Sequence, residues 1–249
     1  MTKLSNDSIK QLDTLLTTAL KAGIEKIIID KDSNGNAVIR GIDEKQTVAL
    51  ISKANVPDLE GKTLTITRPS QLAARLNLIK TQGDVAIDAV DGRSDAEIAR
   101  LDLSSGKTKT QFRSAAIETV KGVPKNIADS IVWSIKLPTK QIPLITQGAS
   151  AMQSETITIA TKDAKNVTFE AMDSNKDVFT TETDTAPEWI GDGDATSTTF
   201  CQKYPAKTLL PLIKEASAGI DHVVLTLGAN GILSLQVNGF DFFVIPSSN

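Results

Sequence analysis

"LLPLIKEASAGIDHVVLTLGANGILSLQV", residues 209–237, holds one helix and one hairpin side by side. Leu209, Leu212, Ile213 and Ala216 recur at helical spacing until Gly219 ends the pattern. Beyond it, Val223-Val224-Leu225-Thr226-Leu227 and Ile232-Leu233-Ser234-Leu235 flank an Asn230-Gly231 turn, a pairing that favours positive φ and so a tight hairpin. No residue in the stretch suits catalysis, so the question it poses is architectural: how often does the chain make this unit?

It makes it four times. Helices are expected at 5–22, 69–82, 138–152 and 205–218, with starts 64, 69 and 67 residues apart. Ser5, Ser70 and Thr139 are expected helix-start residues, and Pro69, Pro143 and Pro211 are expected in first turns, where a missing N–H costs nothing; Pro143 and Pro211 could otherwise break their helices. After each helix come three β-like runs. They are "KIIID", "NAVIRGI" and "TVALIS"; then "VAIDAV", "AEIARLDL" and "KTKTQFR"; then "TITIAT", "NVTFEAM" and "DVFTTET"; and last "HVVLTLG", "ILSLQV" and "FDFFVIP". Turn signals separate them at Ser33-Asn34-Gly35, Asp91-Gly92, Ser105-Gly106 and Asn238-Gly239. One more extended piece precedes each helix: "TKL", "TLTIT", "IVWSIKL" and "STTFCQKY". The pattern is β-α-β-β-β repeated, an α+β chain. A second echo, "GIDEKQTV" at 41–48 against "AMDSNKDVF" at 171–179, places the first and third units 130 residues apart. The units therefore pair into two similar domains, 1–113 and 130–249, joined by a connector at 114–129 with Gly, Pro and mixed charge.

Composition narrows the class. The chain has 249 residues, one Cys and a net charge of −3. Cys201 has no partner for an internal disulfide, which suggests a reducing, cytoplasmic setting. No apolar run is long enough to span a membrane, and the first residues lack a signal-peptide layout. The mild net charge hides a segregation. The helical segments and their lead-ins carry Lys10, Lys21, Arg68, Arg75, Lys80, Lys136, Lys140, Lys203, Lys207 and Lys214 against Asp7, Asp13 and Glu215, a net of +7. The remainder carries 17 basic and 27 acidic residues, a net of −10. On the first helix Ile9, Leu12, Leu16 and Ala19 are expected to face the sheet, leaving Lys10 and Lys21 outside. Helices tolerate Lys and Arg well, so one cation there means little. The separation as a whole suits sequence-independent contact with a phosphate backbone, with an acidic exterior discouraging contact elsewhere.

Four features in register resemble a DNA sliding clamp of the proliferating-cell-nuclear-antigen and phage-clamp family. They are the fourfold plan, "GIDEKQTV" with its echo "AMDSNKDVF", "SIKQLDTLLTTAL" in the first helix, and the ending "GFDFFVIPSS". The short tail, low aromatic content and short loops suggest a phage or viral member. The resemblance implies a homotrimeric ring with helices on the inner face around duplex DNA and sheets outside. It implies a processivity factor, with a replicative polymerase and a clamp loader as partners, no cofactor, no metal and no membrane. The ten cations would then be the DNA-binding residues. The resemblance maps subunit contacts to Lys109, Gln111 and Phe112 on one chain and Val178, Phe179 and Thr181 on the next, and a partner-peptide site to Ile42, Thr47, Val123, Pro124, Ile127, Phe243, Val244, Ile245 and Pro246. Gly-Ile-Asp stands where the family has Ala-Met-Asp. Two other readings remain: a monomeric processivity subunit of the same fold, and a β-rich viral structural assembly protein.

Local motifs point away from chemistry. "DKDSNGNAVIRG", 30–41, begins like a calcium loop but has Gly41 where a bidentate Glu is required, so a hairpin turn is expected. "EWIGDGDATS", 188–197, reads as a solvated acidic loop. The lone His222 and Cys201 make neither a zinc set nor a nucleophile–base pair, no Gly-rich phosphate loop is present, and no enzymatic activity is expected.

Overall fold

In a computed structural model of the chain, residues 1–249 are described except 33, 54–55, 95, 121, 128, 162–164, 192–198 and 248–249. Two compact units emerge, Met1–Asn126 and Ile127–Asn249. Their boundary falls inside the expected connector.

The first unit runs β1 (Thr2–Lys3), α1 (Asn6–Lys21), β2 (Lys26–Lys31), β3 (Ala37–Ile42), β4 (Val48–Ser52), β5 (Leu64–Ile66), α2 (Pro69–Lys80), β6 (Ala86–Asp91), β7 (Ile98–Ser105) and β8 (Thr108–Arg113). The second runs β9 (Ile131–Pro138), α3 (Ile142–Ala151), β10 (Thr156–Thr161), β11 (Thr168–Met172), β12 (Val178–Glu182), β13 (Glu188–Trp189), β14 (Phe200–Pro205), α4 (Ala206–Ala216), β15 (His222–Gly228), β16 (Leu233–Val237) and β17 (Phe240–Val244).

Within each repeat the three strands after the helix form an antiparallel meander, as the alternation of apolar and polar residues dictates. The lead-in strand goes elsewhere. β1 pairs with β6 of the second repeat, and β5 pairs with β2 of the first. β9 likewise joins β15 of the fourth repeat and β14 joins β10 of the third. Each helix thus carries the chain from one sheet to its neighbour, and two repeats interlock. A single repeat would leave its first strand unpaired, so the smallest closed unit is a pair.

Local chemistry sets the helix ends. Ser5 caps α1, its hydroxyl accepting from the Ser8 N–H at 3.4 Å. Asp58 holds that cap in turn, accepting from the Ser5 N–H and hydroxyl at 2.6 Å each. Pro69 opens α2, where Arg68 rather than Ser70 occupies the cap position. Thr139 falls in a 3₁₀ turn, Thr139–Gln141, ahead of α3, whose first turn holds Pro143. Pro211 departs from expectation: it lies inside α4 and forgoes the bond to Lys207 four residues earlier. Burial of Leu209, Leu212 and Ile213 on one stripe holds the helix together despite that loss. On α1 the buried stripe comprises Ile9, Leu12, Leu15, Leu16 and Ala19, with Lys10 and Lys21 exposed.

The "EWIGDGDATS" segment is also corrected in part. Glu188–Trp189 is a short strand on β9, with Trp189 opposite Trp133 and the two indoles edge to face at 5.1 Å. Its Asp192 and Asp194 lie outside the described residues.

Candidate nucleic-acid and subunit interfaces

The ten cations do not share one face. Lys10, Lys21, Lys80, Lys207 and Lys214 are exposed on helices, and Lys140 is exposed on the 3₁₀ turn before α3. Lys80 pairs with Asp13, and Lys140 pairs with Asp184 at 2.8 Å. Lys136 and Lys203 belong elsewhere. Lys136 sits between buried Ile135 and Leu137 on β9, so period-2 alternation turns it to the sheet surface opposite the core. Lys203 stands beside buried Tyr204 and opposite Thr158, on a concave outer surface shared with Glu170, Glu182 and Cys201. Their place just before helices in sequence groups both with the helices; a strand's alternation sends them the other way.

Arg68 and Arg75 have a different occupation. Their guanidinium carbons lie 5.6 and 5.8 Å from the centre of the Phe112 ring, and Arg75 Nη1 donates to the Gln111 carbonyl. The two arginines therefore gather at β8 rather than standing free.

β8 and β12 are end strands of their sheets. Backbone groups of an antiparallel end strand alternate, one residue facing its partner and the next facing outward. The Ser114 N–H bonds Ala99 O at 2.9 Å, and the register of β7 with β8 then turns Lys109, Gln111 and Arg113 outward. The Thr183 N–H bonds Val167 O at 2.8 Å, which turns Val178, Thr180 and Glu182 outward on β12. Among the expected contact residues, Lys109, Gln111 and Val178 thus turn their main-chain groups outward, the Gln111 carbonyl accepting from Arg75. Phe112, Phe179 and Thr181 do not: their main chains face the neighbouring strand, and both rings face inward. Phe112 is buried, and Phe179 packs so closely on Gly148 of α3 that a Cβ there would meet the ring at 2.2 Å. Arg113, Thr180 and Glu182 take their places. Period-2 counting from the Ser105-Gly106 hairpin gives the three outward residues on β8, and counting from the Asp173–Asp177 loop gives the three on β12.

The expected peptide site divides by unit. In the first, Ile42 and Val123 join Ile28 and Val120 in one buried apolar cluster. Thr47 instead closes a turn: its N–H and hydroxyl each donate to the Asp43 carboxylate at 2.7 Å, and Pro124 is half-buried. In the second unit Ile127, Phe243, Ile245 and Pro246 are half-buried, whereas Val244 is a core residue opposite Leu233 and offers no surface.

The calcium-like loop has other work. Asp32 accepts from the Asn34 and Asn36 N–H groups at 2.8 and 2.9 Å and closes the β2–β3 turn, while Asp30 pairs with Arg40. Gly41 is needed for packing, since a Cβ would lie 2.9 Å from the Ile24 side chain and 3.0 Å from the Lys26 carbonyl. Among the described residues no cluster of His, Cys, Asp and Glu is arranged to hold a metal, and no helix is long and apolar enough to cross a membrane.

Comparison with known proteins places the fold. No family model matches the chain, and no curated protein matches it in sequence. Solved structures match throughout. A structure of the C-terminal region of FEN-1 bound to A. fulgidus PCNA aligns over 100% of this chain and 99% of that one, at 16% identity and a TM-score of 0.71. PCNA from Thermococcus kodakaraensis aligns over 99% of both chains at 14% identity and 0.65, and a PCNA2–PCNA3 complex from Sulfolobus tokodaii over 100% and 99% at 14% and 0.63. None of these matches bears on a phage or viral origin.

Proposed function

We infer that the chain, which has the fold of the PCNA sliding clamps in two copies of a paired β-α-β-β-β unit over its full length, works as one: a non-catalytic DNA polymerase processivity factor, closed as a homotrimer around duplex DNA and acting in the cytoplasm, the host's if it is phage-encoded. The observation that carries this reading is the full-length match in fold together with exposed lysines on α1, α2 and α4 and on the turn before α3. Ring closure is supported by the end strands. Lys109 and Arg113 on β8, with Lys107 just before it, are basic, while Asp177, Glu182 and Asp184 outnumber Lys176 on the β12 margin, the complementarity a head-to-tail contact requires. The polymerase and clamp loader would dock with short apolar peptides beside the Ile28–Ile42–Val120–Val123 cluster, much as the fulgidus protein is described with a FEN-1 segment bound.

Lysines in a ring that slides must attract phosphate without fixing a register, so the contact is electrostatic and salt-sensitive. Charge reversal tests this. Changing Lys10, Lys207 and Lys214 to Glu should weaken duplex binding and flatten its dependence on salt, with the oligomer intact. Changing Lys136 and Lys203 should do neither. Equal effects from the two sets would refute the assignment of the helix face.

A further inference from the structure

Each end strand already has one of its three outward carbonyls engaged. On β8 the Gln111 oxygen, directed away from β7, accepts from Arg75 of α2. On β12 the Glu182 oxygen, directed away from β11, accepts from Gln141 Nε2 at 3.2 Å. Both contacts lie within a single repeat, where a side chain from the helical layer reaches over that repeat's own last strand. The residues are unrelated, a guanidinium and a neutral amide, yet they reach the same class of target on the two strands that the clamp reading joins.

We propose that Arg75 and Gln141 are latches on the two association edges, and that a second copy of this chain must displace them to pair. The proposal rests on the ring reading. The occupied carbonyls are ones that association needs. When Lys109 faces Glu182, Gln111 faces Thr180 and Arg113 faces Val178, every outward N–H and C=O on both strands finds a partner, and Lys109 gains a carboxylate across the strand. In that register Gln111 O accepts from Thr180 of the second copy and Glu182 O from its Lys109, where the latches now donate. An unlatched end strand would be a template for wrong pairing, so a latch also protects the free chain.

The Gln141 latch is strained in a way that suits release. Its Oε1 is buried with no hydrogen-bond partner among the described residues, so the amide holds Glu182 with one end at the expense of the other. Lys140, pairing with exposed Asp184 beside it, braces the same turn from solvent. Arg75 is held by its position over Phe112 as well as by its hydrogen bond, which makes it the firmer of the two.

Gln141→Met tests the proposal without changing charge; Arg75→Met tests it on the other strand, in high salt where the lost charge is screened. Sedimentation equilibrium of the full-length wild type and each variant gives the association constant, with a thermal melt to confirm folding. Removing one exposed hydrogen bond that competes with pairing should strengthen the interface about fivefold for the neutral Gln141 amide and at least as much for the charged Arg75 guanidinium. An unchanged or weaker association would overturn the latch. The stoichiometry of the wild type judges the ring separately. A trimeric wild type with no gain in either variant would reject the latch alone. Variants that associate while the wild type stays monomeric would uphold the latch and reject the ring. If all stay monomeric, both are rejected. Should Arg75→Met fail to fold, Gln141→Met carries the test.

Discussion

The sheet β5-β2-β3-β4 of the first unit and the sheet β14-β10-β11-β12 of the second are built to one plan, 130 residues apart, yet they meet water differently. In the first, Ile27, Ile28 and Ile29 are all buried. One face packs on the helices; the other lies beneath the segment after β8, where Val120 and Val123 cover Ile28 and Ile42, and Ala115 and Ser114 hydrogen-bond Thr65. In the second, "TITIAT" buries only Ile157, Ile159 and Thr161, and Thr158 and Met172 stand where Ile28 and Ile42 stand in the first. Met172 is 46% exposed, against 7% for Ile42. One plan therefore serves two ends. A covering segment turns the sheet face into buried apolar core; without one, the same face stays polar and concave.

Exchanging the residues is the harshest test of this contrast. Ile28→Thr leaves a hydroxyl without a partner against Val120 and Val123 and should lower unfolding free energy by about 2–3 kcal/mol. The reciprocal Thr158→Ile should change it by no more than about 0.5 kcal/mol. Denaturant titration measures both, and equal costs would break the comparison. Next comes the polar anchor of the second unit. Tyr204 is buried and donates to the Gly231 carbonyl at 2.7 Å, so Tyr204→Phe, which orphans that oxygen, should cost about 1–2 kcal/mol. Loss of the α1 cap in Ser5→Ala should cost about 1 kcal/mol and fall on the first unit.

The smallest effects separate the units by pH. Hydrogen bonds from Ser5 hold Asp58 below the usual carboxylate range, and hydrogen bonds from Lys62 and the N-terminus do the same for Asp91. A depressed folded value contributes stability that is present above the unfolded value of 3.8 and is lost as pH falls through the folded one. Both groups are in the first unit. Burial raises the Tyr204 phenol, so the second unit loses stability as pH climbs above the ordinary value of 10.0. Both tryptophans, Trp133 and Trp189, lie in the second unit and report on it alone. In acid, helix circular dichroism should change before tryptophan fluorescence; in alkali the fluorescence should lead, and Tyr204→Phe should remove that lead. The opposite order in either titration would assign the sensitive groups to the wrong unit.

Much of this was legible in the residues. The continuous "KIIID" against the alternating "TITIAT" already distinguishes a sheet buried on two faces from one buried on a single face. The helices, hairpins and all four lead-in strands follow from period and turn chemistry. Exchange of lead-in strands between repeats was not legible, because no residue of β1 or β5 encodes which of two similar sheets it joins. Pro211 misled because tertiary burial of its neighbours outweighs one lost hydrogen bond. Assigning charge by segment rather than by face put Lys136 and Lys203 with the helices. The roles of Arg75 and Gln141 depend on contacts with strands 36 and 41 residues further along the chain, beyond the reach of any local pattern.

Closure into a ring is the central claim, and native mass spectrometry of the full chain at micromolar concentration tests it most directly. The account predicts one dominant species near three times 26.6 kDa, about 80 kDa, that dissociates when the outward Glu182 is replaced by Lys. A single species at 26.6 kDa across the whole range would contradict it.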